Sequence, residues 1–142
     1  MSGNVFVDTN VFVYLFDADD PTRQDIARSL IDRLAKEATI VVSTQVLQEF
    51  YVSVTRKLAE PLPSQPAMEA TRGLSTYRVV QLDPSMIFAA IALHEKEKTS
   101  FWDALIVRAA LESGCELLMS EDMQHGRRFE GLKIDNPFIR NR

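Results

Sequence analysis

Short runs of β-branched and aromatic residues alternate with longer segments of helical period, and few folds accept that alternation. Residues 4–8, Thr39-Ile40-Val41-Val42, Arg78 to Gln81 and Glu116 to Ser120 read as strands. The first, Val5-Phe6-Val7, has no polar alternation, as a strand covered on both faces of a parallel sheet requires. The run Phe129-Glu130-Gly131-Leu132-Lys133-Ile134 supplies a short fifth strand. Helical patterns lie between them. Val11 to Asp17 reads as a short, heavily apolar helix. Asp19-Asp20-Pro21 starts the next, where Ile26, Ala27, Leu30, Ile31 and Leu34 recur on one face. Ser43 or Thr44 caps a helix from Gln45 to about Leu58. After the proline-rich loop from Glu60 to Pro66, helices are expected at about Ala67 to Thr76, from Asp83-Pro84-Ser85, and from Ser100 to near Gly114, a suitable C′ residue. Strands alternating with helices imply right-handed βαβ units. The expected fold class is α/β with a mainly parallel central sheet.

Length and charge narrow the class. At 142 residues the chain is expected to form a single domain, 1–142, with a real core. The apolar residues after Gly3 are interrupted by Asp8 and Asp17 and follow no basic leader, which argues against a signal peptide or membrane span. The lone Cys115 allows no internal disulfide and fits a reducing, cytoplasmic setting. A formal charge of −4 argues against a generic polyanion binder. Nucleic acid would have to be held through local basic residues or a bound metal.

Four acids sit beside apolar stretches: Asp8 after Val5-Phe6-Val7, Glu49 before Phe50, Asp103 after Phe101-Trp102, and Asp122 after Leu117 to Ser120. Each has a purely structural alternative. Asp8 can cap the helix that follows it. Glu49 can be solvated. Ser100-Phe101-Trp102-Asp103 fits a capping box. Asp122 can be a turn residue, with Glu121 able to exchange roles with it under a shift of register. Taken together they point elsewhere. Asp8 and Asp122 follow parallel strands and so share one sheet edge, while Glu49 and Asp103 lie near helix starts. Four carboxylates within about 5 Å would repel by roughly 3 kcal/mol per pair at an effective dielectric of 20. Such a cluster calls for a cation, and an all-oxygen set suits Mg²⁺ or Mn²⁺. Cys115, His94 and His125 have no zinc spacing. A site of this kind activates water and neutralises charge on a phosphodiester. The absence of GxSxG, P-loop and GxGxxG motifs removes the usual acyl hydrolase, NTPase and dinucleotide readings.

Val5-Phe6-Val7-Asp8-Thr9-Asn10, Gln48-Glu49-Phe50, Trp102-Asp103-Ala104-Leu105-Ile106-Val107-Arg108-Ala109-Ala110 and Ser120-Glu121-Asp122-Met123-Gln124 are spread over nearly the whole chain. In order and content they resemble the PIN-domain family and, within it, the VapC-type toxins of bacterial toxin–antitoxin pairs. The resemblance implies a three-layer α/β/α sandwich, Mg²⁺- or Mn²⁺-dependent endoribonuclease activity on RNA, an antitoxin partner and a homodimer. It marks Asp8, Glu49, Asp103 and Asp122 as the acidic quartet, with Asn10 and Ser120 as supporting polar positions. Apolar helix residues such as Phe50, Tyr51, Val54, Ile87, Phe88 and Ile91 are candidates for the dimer surface.

Other residues have divided readings. Thr9 either hydrogen-bonds near Asp8 or caps backbone. His125 is a surface turn residue or a substrate contact, and His94 is expected to face solvent, as is Glu121. Trp102 is expected in the core, with base stacking as the lesser alternative. Arg127, Arg128, Lys133, Arg140 and Arg142 are either solvated surface or a phosphate patch. A PIN nuclease of RNA processing, acting without an antitoxin, shares these motifs and is the alternative to the toxin; two rival functions stand beside the nuclease. A phosphatase of the haloacid-dehalogenase type also opens on a strand ending in Asp, but wants a second Asp where this chain has Asn10. A non-catalytic binding module has no need of all four acids.

Overall fold

The computed structural model describes residues 3–139. Its sheet has six strands: β1 (Asn4–Val7), β2 (Thr39–Ser43), β3 (Arg78–Val80), β4 (Leu117–Met119), β5 (Arg128–Phe129) and β6 (Leu132–Asp135). The spatial order is β3-β2-β1-β4-β6-β5. All neighbours are parallel except β5 and β6. Val5, Phe6 and Val7 are buried, because β1 lies mid-sheet with Phe6 opposite Val41 on one side and Leu118 on the other.

Six helices complete the fold: α1 (Thr9–Tyr14), α2 (Pro21–Glu37), α3 (Thr44–Arg56), α4 (Ser64–Leu74), α5 (Pro84–Glu97) and α6 (Phe101–Glu112). The chain steps from β1 to β2 to β3 in one direction, then returns to place β4 on the other side of β1. Right-handed crossovers put helices that step outward and helices that step back on opposite faces. The result is an α/β/α arrangement in which α1 packs on α2 and α3, α3 on α4, and α5 on α6. Among the described residues no helix is long and apolar enough to cross a membrane.

Several boundaries differ from the sequence expectation by one to three residues, and three differences have a local cause. The expected fifth strand is a hairpin of two, since Glu130 adopts φ 54 and turns the chain between Phe129 and Leu132. Helix α4 begins at Ser64, inside the proline-rich stretch. Pro66 falls in its first turn, where the missing N–H has no intrahelical partner to lose. Helix α1 begins two residues early, at Thr9, because Asp8 caps it.

Candidate active site: four carboxylates at the switch point

The strand order reverses about β1, so the carboxyl ends of β1 and β4 flank the topological switch point, where open α/β sheets place ligands. Asp8 follows β1 there. Its N–H donates to the Met119 carbonyl at 2.9 Å, which ties it to β4. Its carboxylate accepts from the Thr9 N–H at 2.7 Å and the Ser120 hydroxyl at 2.9 Å. Asp8 is therefore both a helix cap and a wall of the cleft. Ser120 is itself buried, held by its N–H to the Asp135 carbonyl at 3.0 Å.

Glu49 reaches the same place from α3. The Thr9 hydroxyl donates to one carboxylate oxygen and the Gln45 amide to the other, both at 2.9 Å. Thr9 thus joins two acids: its backbone serves Asp8, its side chain Glu49. Gln45, one helical turn before Glu49 and buried, also donates to the Trp102 carbonyl at 3.2 Å. Asp103 stands in the first turn of α6, where the Ser100 hydroxyl accepts from its N–H at 3.0 Å. Asp122 lies beyond β4, and the Asn10 amide donates to its two oxygens at 3.1 and 3.0 Å.

These four acids line one cleft of about 460 Å³ with Thr9, Asn10, Gln45, Gln48, Val52, Lys57, Trp102 and Ile106. Burial is the main force lifting the Asp8 carboxyl to about 7. The nearby Glu49 and Asp122 push the same way, and the Thr9 and Ser120 donors only partly oppose them. Asp103 is raised by burial and then by Glu49, against the Ser100 hydroxyl. Asp122, open on one side, is raised by burial and by Asp103, Glu121 and Glu49, against the Asn10 amide. The acids feel one another, and Lys57 is the single cationic side chain lining the cleft.

The donor set fits a hard divalent cation in kind: carboxylate and amide oxygens, with no thiol or imidazole. The Gln45 Oε1 atom is buried with no hydrogen-bond partner, a second mark of an oxygen-lined polar site. Among the described residues no three acidic, histidine or cysteine side chains already stand in a chelating cluster. A cation would therefore have to draw the carboxylates together against the repulsion that separates them.

Several sequence expectations end differently. Glu121 does not face solvent. It accepts from the Arg23 Nε at 2.8 Å and, at 2.5 Å, from the Tyr14 hydroxyl, on the side of its loop away from the cleft. Between the two adjacent acids, Asp122 is the one that lines the cleft. Trp102 is not in the core: it is 62% exposed, because its neighbours Ala104 and Leu105 take the buried face of α6. His94 is half-buried, its Nδ1 paired with the Thr99 carbonyl where α5 ends. His125 accepts from the Asn136 N–H at 3.0 Å and lines neither the acidic cleft nor the pocket beside it.

The basic residues divide. Arg127 donates to the Glu97 carbonyl and lies over the Phe129 ring, beside Asp103 and Asp122. Arg128 and Lys133 sit with Asn4 and Val5, at the opposite end of the sheet. Arg140 and Arg142 lie outside the described residues. Of the apolar residues expected at a surface, Phe50 and Val54 are buried, while Tyr51, Ile87, Phe88 and Ile91 are exposed. Gln45 and Lys57 had not been singled out in the sequence. Only the spacing of Gln45 from Glu49, four residues on a helix, could have suggested its role.

The family model of the PIN domain matches residues 5–128. The chain belongs to the PIN domain family. The membership sets aside the haloacid-dehalogenase alternative. Three solved PIN-like structures share the fold. The chain superposes on VapC20 of Mycobacterium tuberculosis, described as a sarcin–ricin loop cleaving toxin, with a TM-score of 0.66 and 21% identity, over 83% of this chain and 91% of that one. A toxin–antitoxin complex from Klebsiella pneumoniae gives 0.70 and 18%, over 94% and 97%. VapBC2 of Rickettsia felis, solved on a DNA fragment from its promoter, gives 0.67 and 21%, over 94% and 98%. No curated protein matches the chain at the level of sequence.

Proposed function

We propose that this PIN domain is a divalent-metal-dependent endoribonuclease and the toxin of a toxin–antitoxin pair. The observation that carries the reading is the convergence of Asp8, Glu49, Asp103 and Asp122 on one cleft at the switch point of the sheet. These acids, with Gln45 Oε1 beside them, would hold Mg²⁺ or Mn²⁺. When bound, the metal activates water and neutralises charge on the phosphodiester. The chain's own residues set the ligands. Ser120 and the Thr9 N–H orient Asp8, the Thr9 hydroxyl and Gln45 orient Glu49, and Asn10 holds both oxygens of Asp122. A cleft with one lysine against four acids cannot attract RNA unaided, so metal and substrate binding are coupled.

The toxin assignment draws support from the VapC structures that share the fold. An apolar groove between α3 and α4, lined by Leu47, Tyr51, Val52 and Met68, adjoins the acidic cleft through Gln48 and Val52. An antitoxin segment lying in that groove can extend an arginine to the carboxylates and pair with them. The exposed Ile87, Phe88 and Ile91 of α5 support a homodimer.

The test is cleavage of single-stranded RNA by purified protein. Activity is expected with Mg²⁺ or Mn²⁺ and none in EDTA. Asp8→Asn and Asp103→Asn are expected to abolish it without unfolding the chain. Full activity in excess EDTA, with contaminating nuclease excluded, overturns the metal mechanism. Expression without an antitoxin is expected to arrest growth. Unimpaired growth removes the toxin assignment and leaves the nuclease standing.

A further inference from the structure

Trp102 is placed where an apolar side chain has no structural gain. It is 62% exposed in the first turn of α6, one residue before Asp103, and lines the acidic cleft together with Asn10, Asp122 and the half-exposed Val52. Two contacts hold it. Phe101 meets the indole edge to face, ring centroids 5.0 Å apart. The buried Gln45 amide binds the backbone carbonyl of Trp102 and the Glu49 carboxylate at once, so the helix turn that carries the indole is tied to the acid through one side chain. An indole carried on that turn, largely exposed and among the residues that line the acidic cleft, offers a flat π-face beside the carboxylates, with Lys57 in the same lining.

We propose that Trp102 is the stacking platform for one unpaired base of the RNA beside the scissile phosphodiester, and that Gln45 is its positioning residue. The proposal rests on the nuclease reading. Every base has a π-face, so stacking binds without demanding a sequence. A base inside a duplex is already stacked and paired, so the platform selects unpaired nucleotides. Stacking of this kind changes affinity about tenfold to hundredfold per base.

Trp102 is the chain's only tryptophan, so intrinsic fluorescence reports on this position alone. The probe is single-stranded RNA of mixed sequence, titrated into the full-length Asp8→Asn protein with Mg²⁺ to prevent cleavage. The same RNA as a duplex and an abasic sugar–phosphate oligomer are the comparisons. Saturable quenching is expected with the single strand and not with the other two. In the otherwise wild-type chain, Trp102→Ala and Trp102→Leu are expected to raise KM about tenfold or more with kcat changed less, and Trp102→Phe to restore most of the loss. Gln45→Leu is expected to weaken quenching with its secondary structure retained.

The two readings fail separately. Metal-dependent cleavage with no quenching, or with normal KM in Trp102→Leu, overturns the platform and leaves the nuclease. Quenching by single strands without any cleavage by the wild type supports base stacking on Trp102 but overturns the nuclease and, with it, the placement beside a scissile bond. Indole protection from acrylamide that grows with protein concentration and without RNA assigns the surface to a second copy and overturns the proposal. Absence of quenching in Asp8→Asn protein with a wild-type circular dichroism spectrum overturns it, and should that variant not fold, the KM of Trp102→Leu against wild type decides.

Discussion

Asp8 concentrates the chemistry of the site in one buried side chain. Two hydrogen bonds satisfy its oxygens, yet burial among other acids lifts its carboxyl to about 7. In metal-free protein the folded state therefore keeps a proton that the unfolded chain loses near pH 4. Between about pH 4 and 7 the folded state binds more protons, and stability falls as pH rises through that window. The limiting loss is about 4 kcal/mol above pH 7. Urea midpoints measured in EDTA should fall across the window and then level. Asp8→Asn should flatten that slope and be the more stable protein above pH 7, while Mn²⁺ should raise the wild-type midpoint more than that of the variant, which keeps three of the four acids. A wild-type midpoint that holds constant from about pH 5 to 8 would show that Asp8 is already ionised without a cation.

At the scale of elements, helix termini do much of the positioning. Asp8, Asp20, Ser43, Asp83 and Ser100 each cap a helix through their side chains. These caps were readable because they depend on neighbours one to three residues away. The end of α5 is different. Lys98 adopts φ 55, the left-handed region, where a Cβ costs about 1–2 kcal/mol. Glycine removes that cost but loses about 0.5–1 kcal/mol through its freer unfolded chain. Lys98→Gly should therefore stabilise the protein by up to about 1 kcal/mol, seen as a higher urea midpoint at unchanged slope. A lower midpoint would mean that the lysine stem contributes packing beside Asp103.

Across the whole molecule, the loop after β4 is held from a distance. Arg23 on α2 pairs with Glu121 and lies over the Tyr14 and Phe138 rings, so α1, α2 and the loop carrying Asp122 form one cluster. Arg23 is 42% exposed, and its removal should cost only about 1 kcal/mol or less of stability. The effect on the cleft should be larger. Glu121 left without its partner frees the loop that carries Asp122, and the metal ligand it presents is no longer pre-positioned. Arg23→Ala should weaken Mn²⁺ binding about tenfold and speed hydrogen exchange at Glu121 to Gln124. Equal losses in metal binding and global stability would show that the cluster only supports the fold.

The first four strands, the capped starts of α2, α3, α5 and α6 and the shared sheet edge of Asp8 and Asp122 were legible in the residues, because periodicity and capping act over a few positions and parallel strands end on one side. The membership of the PIN family followed from motifs spread along the chain. Convergence of Glu49 and Asp103 on that edge was an inference from their neighbours, and only the packing of α3 and α6 brings both to the cleft. The outward turn of Trp102, the inward turn of Glu121 and the separation of Arg127 from Arg128 and Lys133 had no local signal. Each depends on which face of an element meets which neighbour. A one-residue step reverses a side chain on a strand and turns it by about 100° on a helix. That choice is made by the contacts of distant segments, such as Arg23 with Glu121 and Gln45 with Trp102, and so belongs to the folded chain alone.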